Sequence, residues 1–200
     1  MAAIITEIIP QQGFELVGER IGAVLALELA NQKALQSLPD GLEVFRERIT
    51  PYDKSEDVMV NVLLNNITFS NFTESNAEGG TVYYVDIYTT GIASPGKTGG
   101  QTAAALLQRY LGMARYILQS TKYKTLDFAP GTIAGTYVEN IQIYDIEDNQ
   151  DAANVKMGRL TFRVRIYEGQ NLWEGVDMGP LATMVKLQET EKGYKYELNN

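Results

Sequence analysis

The stretch MGRLTFRVRIY, residues 157–167, decides how the rest of this 200-residue chain is read. Leu160, Phe162, Val164 and Ile166 fall on one side of an extended strand, and Thr161, Arg163, Arg165 and Tyr167 on the other. Strict period two with a charged outer side marks a strand buried on one face and wet on the other, which belongs in an antiparallel sheet. Immediately upstream, Ile133 to Tyr144 reads as a second strand, with Tyr137, Ile141 and Ile143 on one side. The acidic turn Asp145 to Asp151 separates the two, so they are expected to form a long hairpin.

Working outward, the same period recurs. Val58, Val60, Val62 and Leu64 alternate with Met59, Asn61, Leu63 and Asn65, and Ile67 and Phe69 continue toward a polar turn, Glu74 to Gly80. Thr81 to Thr90 then sets Tyr83, Val85 and Ile87 against Val82, Tyr84, Asp86 and Tyr88. An Asp among tyrosines again suits a strand with one wet face. Helical spacing appears twice. Ala103, Leu106, Leu107, Tyr110, Leu111, Ala114, Ile117 and Leu118 form an apolar stripe with Thr102 as the expected N-cap, and Arg109, Arg115 and Gln119 lie off it. Phe14, Val17, Ile21, Val24 and Leu25 predict a helix over 13–37, ending before the turn signal Pro39-Asp40-Gly41. After a short apolar patch at Val44-Phe45, Arg46 to Asp57 reads as a loop, and Met184 to Leu198 reads as a hairpin turning at Glu191-Lys192-Gly193. The order α-β-β-α-β-β plus a hairpin predicts an α+β fold: a mainly antiparallel sheet packed against two helices, with an extra C-terminal β-hairpin. Residues 1–168 are expected to form the α+β domain and 169–200 a C-terminal loop and hairpin extension.

Composition narrows the chemistry. The chain holds no Cys and no His, which excludes disulfides, thiol nucleophiles, imidazole bases and Ser-His-Asp triads within it. A net charge of −8 opposes a nucleic-acid reader, whose phosphate contacts need a basic surface. The start MAAIITEIIPQQG lacks a cationic n-region and a long apolar run, so secretion is not expected. The apolar run Ile21 to Ala30 contains Glu28 and follows Glu19 and Arg20, so it is not expected to span a membrane. Gly18 and Gly22 make a GxxxG spacing, read as close packing of a soluble helix, because Glu19 and Arg20 lie between them.

One motif points elsewhere. Gly91-Ile-Ala-Ser-Pro-Gly96-Lys97-Thr98 matches G-x-x-x-x-G-K-[ST] between a predicted strand and a predicted helix. As a P-loop it would bind a nucleotide, with Gly91 and Gly96 shaping the cradle, Lys97 on the phosphates and Thr98 on Mg²⁺, making the chain a nucleotide-binding enzyme. Against this, Gly99 and Gly100 follow where strong helix formers belong, and no apolar run ending in Asp occurs downstream. The remaining strands look like hairpins instead of βα units. A Gly/Pro/Ser loop joining strand to helix accounts for the same letters.

Other constellations are weaker. Asp145, Glu147, Asp148 and Asp151 could suggest Ca²⁺, yet Gln150 and Lys156 stand where an EF-hand loop from Asp145 needs Gly and Glu. Nothing selects two of the many carboxylates as a glycosidase-like acid/base pair. Twelve tyrosines, mostly in strands, fit a half-buried sheet face better than a stacking platform. No catalytic residue, cofactor or metal ligand is therefore expected.

The middle of the chain, about 58–168, resembles the tail-terminator (tail-tube-capping) and neck proteins of long-tailed bacteriophages. The carriers are Val58-Met-Val-Asn-Val-Leu-Leu64, Ile67-Thr-Phe-Ser-Asn-Phe72, Thr81-Val-Tyr-Tyr-Val-Asp-Ile-Tyr88, the helix end Ile117-Leu-Gln-Ser-Thr-Lys-Tyr123, the acidic turn, and Gly158 to Glu168. It is similarity of order and pattern, and the N-terminal helix and residues 170–200 exceed the compact family pattern. The resemblance implies a non-enzymatic virion protein at the head-proximal end of a tail, assembled in the host cytoplasm. It further implies a homo-oligomeric ring, usually hexameric, that caps the tail tube protein and meets the head connector or neck protein, with a sheath terminator beside it in a contractile tail. DNA would pass through such a ring without specific binding, and no membrane is involved. Exposed turns carry contacts more often than cores do, so the expected interaction loops contain Gly79, Gly80, Pro95, Gly96, Asp145, Glu147, Asp148, Asp151, Lys192 and Gly193.

Overall fold

The computed structural model describes residues 8–38, 41–52, 57–71, 76–144, 154–169, 185–190 and 193–198. The elements are α1 (Gly13–Leu35), β1 (Leu42–Arg46), β2 (Val58–Asn71), β3 (Asn76–Thr90), α2 (Gly99–Gln119), β4 (Ile133–Tyr144), β5 (Val155–Gly169), β6 (Val185–Thr190) and β7 (Gly193–Leu198). The strands form one sheet in the order β4-β5-β3-β2-β1-β7-β6, antiparallel at every pairing except β1 with β2. The fold is α+β, as the patterning predicts. Within the expected C-terminal hairpin, β6 and β7 pair antiparallel, and β7 pairs with β1 through Phe45↔Lys195 and Arg46↔Tyr194; Met184, Glu191 and Lys192 lie outside the described residues.

Strand β3 is central, paired along its length with β2 on one side and with β5 on the other. Both β3 and β4 are antiparallel to β5 and therefore run in the same direction, joined by α2. Both helices pack on one face of the sheet. Val17, Ile21, Leu25 and Leu29 of α1 and Leu107, Tyr110, Leu111 and Leu118 of α2 share a core with Val58, Val60, Val62, Tyr83, Val85, Ile87, Leu160, Phe162, Val164 and Ile166. The alternation of β5 and the stripe of α2 are thus the two halves of one buried layer. Gly18 of α1 is buried where a Cβ would stand 3.3 Å from the Tyr83 ring, the close packing expected of that glycine.

Several local expectations are corrected. The apolar patch at Val44-Phe45 belongs to a strand, β1, whose last residue, Arg46, was expected in the loop. Five residues are too few for a periodic signal, and β1 is held by its parallel register with β2, Val44 opposite Val60. The helix over 103–118 starts earlier, with Thr98 as N-cap: its hydroxyl accepts from the Gln101 N–H at 3.3 Å, and the Gln101 side chain accepts from the Thr98 N–H. Thr102 lies inside the first turn. Gly79 and Gly80 belong to β3, opposite Phe69 and Thr68, with Gly79 buried beside the Phe69 ring. Tyr137 does not share a face with Ile141 and Ile143, because a bulge between Val138 and Asn140 reverses the parity. A bulge between Leu64 and Asn66 likewise returns Ile67 and Phe69 to the helix face.

Three long-range contacts tie the helices down. The Tyr83 hydroxyl, buried inside the sheet, donates to the Phe14 carbonyl at 2.5 Å, and burial plus the Glu168 charge keep that phenol protonated. Glu28 of α1 accepts from Lys122 Nζ at 2.7 Å and from the Tyr123 hydroxyl just beyond α2. Burial by itself raises the Glu28 carboxyl, but hydrogen bonds from Lys122, Tyr123 and Asn31 outweigh it and hold it below the ordinary 4.5. Glu168 at the end of β5 is the converse case. It accepts from the Phe14 N–H at 3.1 Å at the start of α1, yet burial pushes it above 4.5.

Tyr83→Phe is expected to cost about 1 kcal/mol in urea unfolding, the worth of one hydrogen bond with packing retained. The two carboxylates give opposite pH signatures. A depressed folded-state Glu28 stabilises above pH 4.5, so the deficit of Glu28→Gln against wild type shrinks as pH falls below that value. A raised Glu168 stabilises below 4.5, so Glu168→Gln gains on wild type as pH rises from 4.5 to 7. Unfolding curves across that range read both.

Candidate functional site

The loop that matches the nucleotide motif follows β3. Its centre is a tight turn in which the Ser94 and Lys97 backbones bond each other reciprocally, at 3.1 and 2.9 Å, with Pro95 and Gly96 at the corner and Gly96 at φ +81°. Those two amides are engaged with each other, whereas a P-loop turns its amides toward the anion. The Thr98 hydroxyl caps α2. Gly91 has a packing reason to be there: a Cβ would stand 2.1 Å from the Gly99 carbonyl oxygen and 2.4 Å from the Ala103 nitrogen, because the end of β3 runs against the first turn of α2. Pro95, Gly96 and Lys97 are exposed, as expected of a surface turn.

The second candidate is the sheet face opposite the helices. Residues 47–52, following β1, lie over one end of it. Arg48 N–H donates to Asn61 Oδ1 and Asn61 Nδ2 to the Arg48 carbonyl, while the Arg48 guanidinium lies 4.6 Å from the centre of the Phe45 ring. Tyr52 stacks on Tyr88 at 5.5 Å and its hydroxyl meets that of Thr90. Beyond this strap runs a column on β5. Arg159 makes a two-pronged pair with Asp86, both contacts 2.7 Å, and its guanidinium lies 4.1 Å from the centre of the Tyr84 ring and 5.8 Å from that of Tyr144. Arg163 meets Glu139 at 3.1 Å and Arg165 meets Glu78 at 3.8 Å. Each of the three guanidiniums thus faces a carboxylate from a neighbouring strand, which suits a neutralised contact surface better than a phosphate groove.

The third feature is the free edge of β4. Residues 139–144 are all exposed, including Ile141, Ile143 and Tyr144, and β4 contains no Lys, Arg or Pro. Among the described residues, β4 is paired on one side alone, and so is β6 at the opposite end of the sheet. Of the expected interaction loops, Pro95 and Gly96 form the 94–97 turn, and Gly193 opens β7. Gly79 and Gly80 sit inside the sheet and present no turn. Asp145, Glu147, Asp148, Asp151 and Lys192 lie outside the described residues. Among the described residues no cluster of three or more Asp or Glu is placed to hold a metal, and no helix is long and apolar enough to cross a membrane. The ion-paired column and the bare edge were not foreseen: both depend on which strands are neighbours, and the one sequence signal was Asp86 in mid-strand.

No family model matches the chain, and no curated protein matches it.

Gly91→Ala is expected to lower stability by about 2 kcal/mol or more, since backbone must shift to admit the methyl. Lys97→Ala should stay within about 0.5 kcal/mol of wild type. Excess Mg-ATP should leave the melting temperature of the wild-type protein unmoved, whereas a nucleotide site would raise it; differential scanning fluorimetry reads both variants and the ligand.

Proposed function

We propose that this chain is a structural virion protein forming a ring at the head-proximal end of a phage tail, where it caps the tail tube and joins it to the head connector. The observation that carries the reading is the architecture of the resembling region. The segments that carry the likeness are β2, β3, the end of α2 and β5, and the three strands are consecutive neighbours in the sheet. Among the described residues, the sheet to which they belong ends in two unpaired edges of different sequence, one on β4 and one on β6. Unpaired edges are a liability in a lone molecule and a joining device in an assembly. Ring closure removes them.

Charge supports the same part. An acidic ring repels the DNA backbone and lets a genome slide through a channel instead of binding it. The ion-paired arginines of β5 add no net basic patch to oppose this. Nothing in the role requires the Cys and His that the chain lacks.

The purified protein is expected to sediment and scatter light as a ring-sized oligomer, or to become one when mixed with tail tube protein, and to halt tube growth when added to polymerising tubes. A strict monomer that neither binds tube ends nor limits tube length in negative-stain images would sink the proposal.

A further inference from the structure

We infer that the ring is sealed by a head-to-tail β ladder, in which the exposed end of β4 in one copy pairs antiparallel with β6 of the next. This rests on the ring reading and adds to it a specific joint between subunits.

Direction comes first. Taking β1 as pointing up, β2 and β5 also point up, while β3, β4 and β7 point down, and β6 points up. The two edges that are free among the described residues therefore run opposite ways. Copies related by rotation about an axis along the strands bring a downward β4 beside an upward β6. Their pairing is antiparallel, the better ladder, and it continues the sheet without a break.

Facing agrees as well. Ile141 and Ile143 lie on the helix side of β4, opposite Leu160 and Gly158 of β5, and are 38% and 56% exposed. On β6, the register through β7 and β1 places Val185 and Leu187 at helix-side positions. In a rotational ring all subunits keep their helices on the same side of the sheet. The apolar positions of both edges thus meet on one face. The register that matches all four sets Ile141 opposite Leu187 and Ile143 opposite Val185, which puts Gln142 opposite Lys186 on the other face. The β4 edge is suited to receive a strand. Its two bulges lie before Asn140, and the run 140–144 beyond them is regular and carries no Lys, Arg or Pro to deter pairing.

A different use of the same edge sharpens the choice. Two β4 strands could pair about a two-fold axis through Gln142, matching Ile141 with Ile143 of the other copy. That arrangement closes a dimer and leaves β6 uncovered, so it is disfavoured by the sheet having two edges to satisfy.

The chain has no cysteine, so engineered thiols report without background. Directly opposed residues in an antiparallel pair stand about 4.5–5.5 Å apart at Cα, within disulfide range. Oxidation of the double variant Gln142→Cys with Lys186→Cys is expected to give a ladder of cross-linked species on denaturing gels, and each single variant none. A cross-linked dimer from Gln142→Cys alone would replace the proposal with two-fold pairing. Rings seen by light scattering without cross-linking would overturn the joint while leaving the ring standing. A monomer without cross-linking would overturn both. As a second reading, Ile143→Lys should raise the concentration needed for assembly by about tenfold or more. Its melting temperature as a monomer should be unchanged, since the side chain is exposed before assembly. Assembly at the wild-type concentration would count against the joint.

Discussion

The register between β3 and β5 depends on one buried charge. Asp86 is 2% exposed and sits directly opposite Arg159, which grips both its oxygens at 2.7 Å. A carboxylate so buried is tolerable only when paired, and removing its partner would leave a charge that the interior cannot solvate. A slip of one residue in β3 would send Asp86 to the helix side, against the apolar core, and turn Tyr83, Val85 and Ile87 out of it. A slip of two would keep the face but part the pair. An apolar contact would tolerate either error more cheaply, so the ion pair specifies the ladder even where it adds little net stability. Everything built on that ladder inherits its position: the core face under α2, the guanidinium column along β5, and the place where β4 ends.

The elements most legible in the sequence are those whose pattern is local. The period-two run of β5 and the apolar stripe of α2 could be read because each side chain's direction follows from its own neighbours along the chain. What was not legible depends on partners distant in sequence. Strand β1 has five residues and is a strand only because β2 lies beside it. The bulges in β2 and β4 reverse parity without any residue that announces them, which is why Tyr137 parts from Ile141 and Ile143. Gly79 and Gly80 carry turn chemistry in their letters, yet both lie between two strands that pair with them across the full width. The contact surfaces were least legible of all, since an edge is defined by the strand that is missing.

The loop 91–98 shows how one string of letters serves two physical ends. In a P-loop, glycine clears space for a phosphate. Here Gly91 clears space for the first turn of α2, and its nitrogen donates to the Asn154 carbonyl at 3.0 Å beside the start of β5. Threonine in the motif would ligate a cation; Thr98 instead caps the helix. The same demand, that a backbone approach something closely at a helix start, selects the same residue types whether the neighbour is a ligand or the protein itself.

The difference between the two edges bears on what kind of assembly the fold can join. An isologous dimer uses one patch twice and would leave the other edge of this sheet exposed. Head-to-tail association uses each edge once, so every subunit has the same surroundings, and the curvature of the sheet decides between a closed ring and an open filament. The natural twist and coil of a sheet favours curvature, and covering only one face with helices makes the two sides unequal in bulk. Subunits wider on the helix side than on the strand side are wedges, and wedges close with the wide side outward. In the proposed ring, that geometry would turn the opposite face, with its paired arginines, tyrosines and the strap of residues 47–52, toward the channel. Matched charges there would hold neither phosphate nor counter-ion strongly. A wall of that kind is compatible with passage.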